Sequence, residues 1–570
     1  MLVAVVLAIV QALWPEGKIP DFQERQIAAM TDVAGRYDVG KPKEGFVAAE
    51  HRMPYLDWHE APAANVRNGG CMILVSGGSY QCCCDVGLVK MWREKLTALG
   101  FQCVNLVYRT PRPQGLPVYQ SAWEDGQRAV RLVRSQAEKY GFDPEKIGVI
   151  GMSAGGHLTV MLATSALTPA YEKVDALDDV PCHVNWAIAN APAYNTLNAA
   201  KGDPTPKDGT SVVPTINPCF KFDAKTCPVS FHHGGTDEYS PNGSTLCYRE
   251  LRKRKIPAEL HLYADKPHGA HGFDRAVEFM RQMGYLGKLA HEQAMDHRMM
   301  PDATVRTEKE PLWPAGKTPD VSPNHPYDPY LVWYVPEKLT TKAIQVIVPG
   351  GGYSFCNFNG EGTPVAHYLN GKGMTAVVVM YRCPRPEGKA KHASAWQDAQ
   401  RAVRMVRSEA PARGLDPNRI GIMGFSAGGH LTLMTATNAK TPAYAPVDPI
   451  DRLACNVQWA VPVYPAYALT DGADVPNVNG GNLDDAVPVP EFTFDDQTPP
   501  MCFFHGDADV WAAMNSVKCW ERLRMMGRQC DLHTLATRGH CFQMVSAPET
   551  GSYTWLDQLW DFLDRKGLNR

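Results

Sequence analysis

The chain has no charge of either sign to spare: 57 lysines and arginines against 60 aspartates and glutamates leave a net charge of −3. That balance excludes the basic footprint of a nucleic-acid binder or of a protein held on an anionic membrane, and fits a small neutral substrate better. A long apolar run is also missing, since the opening MLVAVVLAIVQA (1–12) is too short to cross a bilayer. Sixteen cysteines are present, yet none forms a CxxC pair or a His/Cys ligand spacing, so no metal site is expected and disulfide pairing is not legible. The CCC run at 82–84 follows a glycine turn and reads as buried or loop thiols without a catalytic role. No GKS/T and no acidic ribose partner accompany the glycine turns, and no cofactor is expected.

What the chain has is a duplication. GMSAGGH runs from Gly151 to His157 and GFSAGGH from Gly424 to His430, with Ser153 and Ser426 273 residues apart. The same offset carries Tyr108-Arg109 onto Tyr381-Arg382, SAWEDGQRAVRLVRS onto SAWQDAQRAVRMVRS, Trp186 onto Trp459 and Tyr194 onto Tyr467. Beyond these the register slips by one, and an offset of 272 carries FDAKTCPVSFHHGGTD (222–237) onto FDDQTPPMCFFHGDAD (494–509). Each copy opens on its own LWPxGKxPD, at Leu13 and Leu312. The repeat is too long for a solenoid, and 570 residues with 44% apolar content can hold two cores of this size. We read two tandem α/β domains, 13–290 and 312–570, expected to contact each other, joined by the charged, aperiodic stretch 291–311 as a linker. Residues 1–12 resemble the apolar core of a signal peptide without its basic start, which implies secretion or a periplasmic location; an extra N-terminal strand or helix is the alternative.

A GxSxG string predicts chemistry when it follows an apolar strand and opens a helix, because the sharp turn needs small residues around an outward-pointing serine. KIGVIG (146–151) and RIGIMG (419–424) supply the strands, and HLTVMLATSA and HLTLMTATNA the buried helices. A serine nucleophile needs a base and a group to orient that base, and in the α/β-hydrolase layout these follow it as Asp and then His. Asp237 in GGTD and Asp509 in GDAD lie just past strand ends; Asp507 competes, but its counterpart is Gly235. ELHLYADKPH and DLHTLATRGH end on His268 and His540 without a gap, although His271 rivals His268 in the first domain. His233 and His505 read as core histidines, and His157 and His430 as packing residues behind the serine. Acyl transfer also needs N–H donors aimed at an oxyanion. Gly77-Gly78-Ser79-Tyr80 and Gly350-Gly351-Gly352-Tyr353 follow the first apolar strands. The amides of Gly78, Ser79 and Ala154 in one domain, and of Gly351, Gly352 and Ala427 in the other, are the candidate donors.

The run PGGGY…EGTPVAHYLNGKGMTAVVVMYRCPRPEG…SAWQDAQRAVRMVR…GFSAGGHLTL…HGDAD…GH resembles the α/β-hydrolase carbohydrate esterases grouped with acetylxylan and bacterial feruloyl/acetylxylan esterases. More distantly it is similar to the hormone-sensitive-lipase-like esterases. The resemblance covers both halves nearly end to end. It implies two α/β-hydrolase domains, each a mostly parallel doubly wound sheet flanked by helices. It also implies Ser153–Asp237–His268 and Ser426–Asp509–His540 as two triads, acting without cofactor on acetyl or related acyl groups of plant polysaccharide. The first domain departs at Ser79 and by carrying Leu88 and Val89 where the second has Glu361 and Gly362, which marks it as the weaker or altered site. The loops 195–221 and 468–493 are expected to shape the acyl and sugar pockets, and Tyr194 and Tyr467 at their roots either stack on sugar or fill the loop base. Two other readings stay open: a peptidase of the prolyl-oligopeptidase type, and one active esterase domain beside a non-catalytic binding or scaffolding domain.

Overall fold

Short apolar runs bounded by turn residues form the strands, and most are buried on both faces, as strands covered by helices must be. The computed structural model describes residues 9–26, 28, 30–31, 53–59, 67–84, 86–197, 215–286, 306–322, 324–470, 486–542 and 554–570. The chain divides into two units, Met1–Gly287 and Lys288–Arg570.

In the first unit the strands of the large sheet are β1 (Ile9–Ala12), β2 (Tyr55–His59), β3 (Cys71–Val75), β4 (Gln102–Val107), β5 (Ile147–Met152), β6 (Trp186–Asn190), β7 (Val229–Gly234) and β8 (Ala258–Tyr263). They lie in the order β1-β2-β4-β3-β5-β6-β7-β8, with β1/β2 and β2/β4 antiparallel and the rest parallel. The second unit repeats this with β9 (Arg306–Pro311), β10 (Tyr330–Val335), β11 (Ile344–Val348), β12 (Thr375–Met380), β13 (Ile420–Phe425), β14 (Trp459–Val463), β15 (Cys502–Gly506) and β16 (Asp531–Leu535). Their order is β9-β10-β12-β11-β13-β14-β15-β16, again antiparallel only at the first two pairings. The fold is therefore two tandem α/β-hydrolase domains.

Register places the chemistry. Val75 lies opposite Gly151 and Val348 opposite Gly424, so the glycine turn after each first parallel strand emerges beside the serine. Helices α1 (Ala154–Thr164) and α2 (Ala427–Thr437) start directly behind the serines and are buried at every residue, as their uninterrupted apolar and small side chains require. The repeated tryptophans lie flat on strand glycines: a Cβ on Gly148 would come 2.1 Å from Trp186, and one on Gly421 1.9 Å from Trp459.

The repeated openings and the YR and SAWxDxQRA motifs prove to be one network. Trp313 Nε1 donates to Asp398 Oδ1 at 2.7 Å, Arg382 Nε donates to both oxygens of Asp398 at 3.1 and 3.0 Å, and Arg401 Nε donates to the Leu312 carbonyl at 3.0 Å. Trp14, Asp125, Arg109, Arg128 and Leu13 do the same in the first domain. Buried polar residues thus seal each domain's opening to the long helix of its SAW motif.

Two boundaries need correction. Arg306–Pro311, inside the stretch assigned as linker, is the edge strand β9. An edge strand needs backbone partners on one side only, and Glu308 and Glu310 reach Arg413 (2.7 Å) and Trp333 Nε1 (3.0 Å), so no apolar alternation was needed to hold it. Ile9–Ala12, assigned to a leader, pairs with Tyr55–Trp58 as an edge strand, the arrangement of the alternative reading. Residues 1–8 of that leader and 291–305 of the linker lie outside the described residues, as do 198–214 and 471–485 of the two pocket-shaping loops.

Removing one partner of a buried ion pair strands the other. Asp398→Ala should therefore lower stability by about 3–5 kcal/mol, read as the urea midpoint of the intact chain; an unchanged midpoint would show that the network carries no stability.

Candidate active site

Both serines sit at φ 57° and 54°, in the left-handed region that costs a residue with a side chain free energy. The strain holds because the turn has nowhere else to go: a Cβ on Gly424 would meet the Gly428 carbonyl at 2.2 Å, and one on Gly428 the Val348 carbonyl at 2.1 Å. Ser153 and Ser426 are 5% and 7% exposed, so each serine sits in a nearly closed site.

In the second domain Ser426 Oγ lies 2.8 Å from His540 Nε2, and His540 Nδ1 lies 2.8 Å from Asp509 Oδ2. A carboxylate only accepts, so Nδ1 carries the proton and Nε2 is left to accept from the serine. The Trp511 amide donates to Asp509 Oδ1 at 2.8 Å, and His505 Nε2 approaches Oδ2 at 3.4 Å while its Nδ1 meets Ser516 Oγ at 2.8 Å. Burial by itself lifts the Asp509 carboxyl, but the nearby His505 and the hydrogen bond from His540 outweigh it and hold the group well below the usual carboxylate range. Asp509, and not Asp507, orients His540.

The first domain builds the same half of the site. His268 Nδ1 donates to Asp237 at 2.8 and 3.0 Å, the Tyr239 amide donates to Asp237 Oδ1 at 2.8 Å, and His233 Nε2 lies 3.2 Å from Oδ2. Burial opposes ionisation here too, and the nearby His233, whose Nε2 bonds the Tyr239 carbonyl at 2.7 Å, together with the bond from His268 holds Asp237 well below its ordinary value. His271 instead faces the Pro267 carbonyl at 2.8 Å, which separates the two rivals in favour of His268. Among the described residues, however, Ser153 and His268 form no hydrogen bond.

The glycine turns present free donors. Among the described residues the amides of Gly351, Gly352 and Ala427, and of Gly78, Ser79 and Ala154, donate to no other group. Ser79 takes φ 53° where Gly352 has 63°, so the serine keeps the loop shape at a strain of about 1–2 kcal/mol.

Several residues that hold this loop were not picked out from sequence. Arg385 donates to the Gly352 carbonyl and to Tyr467 Oη (3.1 and 3.0 Å); Arg112 does so to the Ser79 carbonyl and Tyr194 Oη (2.7 and 2.6 Å). The arginines repeat at the 273 offset in RTPRP and RCPRP, a signal that was present. Tyr353 Oη and His430 Nδ1 are 2.8 Å apart, as are Tyr80 and His157 at 2.7 Å. Burial pushes His157 down to about 3 and His430 well below its ordinary value, so these imidazoles are neutral packing partners. Tyr194 and Tyr467, 7% and 6% exposed, fill the loop base.

Cys502, Asp531 and His533 offer ligand atoms within 4.8 Å of one another, but the Arg565 guanidinium lies 2.5 Å from Asp531, placing a positive charge where an ion would sit. All sixteen cysteines are free. No described helix is long and apolar enough to cross a membrane.

The BD-FAE family model matches residues 60–250 and 331–471, together more than half of the chain; the matched segments hold both serines and Asp237 and end before His268, Asp509 and His540. The acetylxylan esterase of Xylanibacter ruminicola is 29% identical over 222 residues, 37% of this chain and 43% of that protein. Endo-1,4-beta-xylanase B of Butyrivibrio fibrisolvens is 27% identical over 249 residues, 40% of this chain and 36% of that protein. The chain thus spans less than half the length of these curated relatives. Among solved structures, an acetyl ester-xyloside bifunctional hydrolase from Caldicellulosiruptor lactoaceticus is 27% identical, with a TM-score of 0.39 over 46% of this chain and 97% of that one.

A carboxyl held down in the folded state binds fewer protons than in the unfolded chain. Its stabilisation is full above the unfolded value of about 3.9 and drains away as pH falls towards the folded one. In Asp509→Asn the loss of stability below about pH 4 should be shallower than in the parent, measured as urea midpoints from pH 5 downwards; superimposable acid limbs would contradict the assignment.

Proposed function

The chain belongs to the BD-FAE family, and from that premise we propose that it is a serine carboxylic-ester hydrolase removing acetyl or related acyl groups from xylan or a similar plant polysaccharide. The observation that carries this reading is the 2.8 Å contact between Ser426 Oγ and His540 Nε2, with Asp509 behind the imidazole. Ser426 attacks the ester carbonyl while His540 takes its proton, and Asp509 stabilises the imidazolium. The amides of Gly351, Gly352 and Ala427 receive the oxyanion, a role worth roughly 2.7–4 kcal/mol per donor in comparable sites. As the C–O bond breaks, His540 returns its proton to the departing sugar oxygen, which leaves as a hydroxyl. Water, activated by the same imidazole, releases the acid and restores the serine.

The preference for xylan is supported by two relatives named for xylan chemistry and is compatible with a chain whose net charge is only −3. A polymeric substrate also fits a secreted or periplasmic setting. We assign Ser153, Asp237 and His268 to a second site of the same kind, with Gly78, Ser79 and Ala154 as its donors. A specific observation favours the alternative that this domain is a non-catalytic partner: the hydrogen bond formed in the second domain has no equivalent between Ser153 and His268.

Replacing the nucleophile of a serine hydrolase typically removes about 10⁶ in kcat. Ser426→Ala, Ser153→Ala and the double variant, assayed on 4-nitrophenyl acetate, acetylated xylan and a feruloyl ester, should lose turnover stepwise. Full turnover in Ser426→Ala would refute the central assignment, and unchanged turnover in Ser153→Ala would leave the first domain non-catalytic.

A further inference from the structure

The glycine turn of the second domain is fastened by a group the first domain lacks. Glu361 lies in the π-helical turn Phe358–Gly362 and is 1% exposed. Its Oε2 accepts the Gly350 amide at 2.6 Å and its Oε1 accepts the Tyr464 hydroxyl at 2.9 Å. The fit is tight, since a Cβ on Gly350 would lie 2.7 Å from Glu361 Oε2 and 3.0 Å from Ser426 Cβ. Tyr464, buried and itself at a positive φ of 34°, packs its ring edge-on against His540, 4.8 Å between centroids at 64°. Through two hydrogen bonds and one ring contact, a single carboxylate connects the turn that carries the Gly351 and Gly352 amides to the imidazole that faces Ser426.

At the 273 offset the first domain has Leu88 for Glu361 and Ala191 for Tyr464. Leucine cannot accept the amide of Gly77, which among the described residues donates to no other group, and alanine puts no ring where Tyr464 stands; the ring beside His268 is instead that of Tyr239, 5.1 Å between centroids at 51°. This is also the domain in which the serine and histidine are not bonded. The shared anchors, Arg112 and Tyr80, are present there, and the missing pair is the difference that bears on the glycine turn.

We propose that Glu361 and Tyr464 are positioning residues of the second site, holding the oxyanion turn and the His540 ring in one geometry, and that their replacement by Leu88 and Ala191 leaves the first site the less organised of the two. The proposal rests on the ester-hydrolase reading above. Misplacing reacting groups by about an ångström costs on the order of 10²-fold, and a group that acts on transition-state geometry lowers kcat while sparing KM.

The test uses the full chain carrying Ser153→Ala, so that turnover of 4-nitrophenyl acetate reports the second site. Glu361→Leu should lower kcat about 10- to 100-fold with KM within about threefold. Glu361→Gln should stay within about threefold of the parent in both, because its amide oxygen still accepts from Gly350 and its NH₂ donates to Tyr464. Tyr464→Phe keeps the ring on His540 but removes the donor to Glu361, and should lose about tenfold in kcat. Parental kcat in Glu361→Leu overturns the proposal, and so does a loss in Glu361→Gln as large as in Glu361→Leu. Should Glu361→Leu lose its far-ultraviolet circular dichroism, Tyr464→Phe decides, and parental kcat there is overturning. If the Ser153→Ala parent hydrolyses no ester, the functional reading fails first and the proposal falls with it, a result distinct from active variants.

Discussion

Everything at the two sites depends on a serine held at a backbone angle it would not choose. The strand-to-helix elbow exists because carbonyls press on Gly151 and Gly155 in one domain and on Gly424 and Gly428 in the other, leaving no room for a relaxed turn. The strain aims each hydroxyl outward and the buried helix behind it prevents relief. Strand register then brings the glycine turn alongside, and the loops after β7 and β15 bring the carboxylates. The same elbow opens a helix whose first amide is free, so one turn supplies both nucleophile and oxyanion donor.

Around that elbow the protein spends further strain on rigidity. Tyr80, Tyr194, Tyr353 and Tyr467 all take positive φ, between 58° and 59°, at equivalent places in the two domains. Bulky residues adopt that conformation only where packing over-determines it. Tyr353 and Tyr467 stack at 6.2 Å, and Arg385 ties Tyr467 to the glycine turn. The donors are thereby fixed before substrate arrives, the condition under which hydrogen bonds to developing charge lower a barrier most. The two domains share this frame and differ in the Glu361–Tyr464 pair, which places their divergence in the fine positioning of the groups around the serine.

Much of this was legible because the chain carries its own comparison. Matching one half against the other separated Asp509 from Asp507 and favoured His268 over His271, and the geometry puts Asp509 on His540 and Asp237 on His268. The β-period runs and the all-apolar helices behind the serines announced the sheet and the elbow. The edge strand Arg306–Pro311 was illegible, because a strand paired on one side and half exposed carries no alternation that distinguishes it from a polar linker. His233 and His505 looked like core residues and are; that each also leans on the acid follows from where the loop after its strand turns back, which no local pattern encodes.

Sequence by itself determined the residue types, their order and their duplication: two serines in elbows, each followed by an aspartate and a histidine, on strands and helices whose periodicity fixes an α/β sheet. Tertiary structure alone decided which contacts close. The Ser426–His540 bond, the grip of Glu361 on Gly350 and the wedge of Tyr464 against His540 join residues 11 to 114 positions apart in the chain. Distances of that kind depend on how loops from separate strands pack at one sheet end, and side-chain chemistry read along the chain carries no term for them.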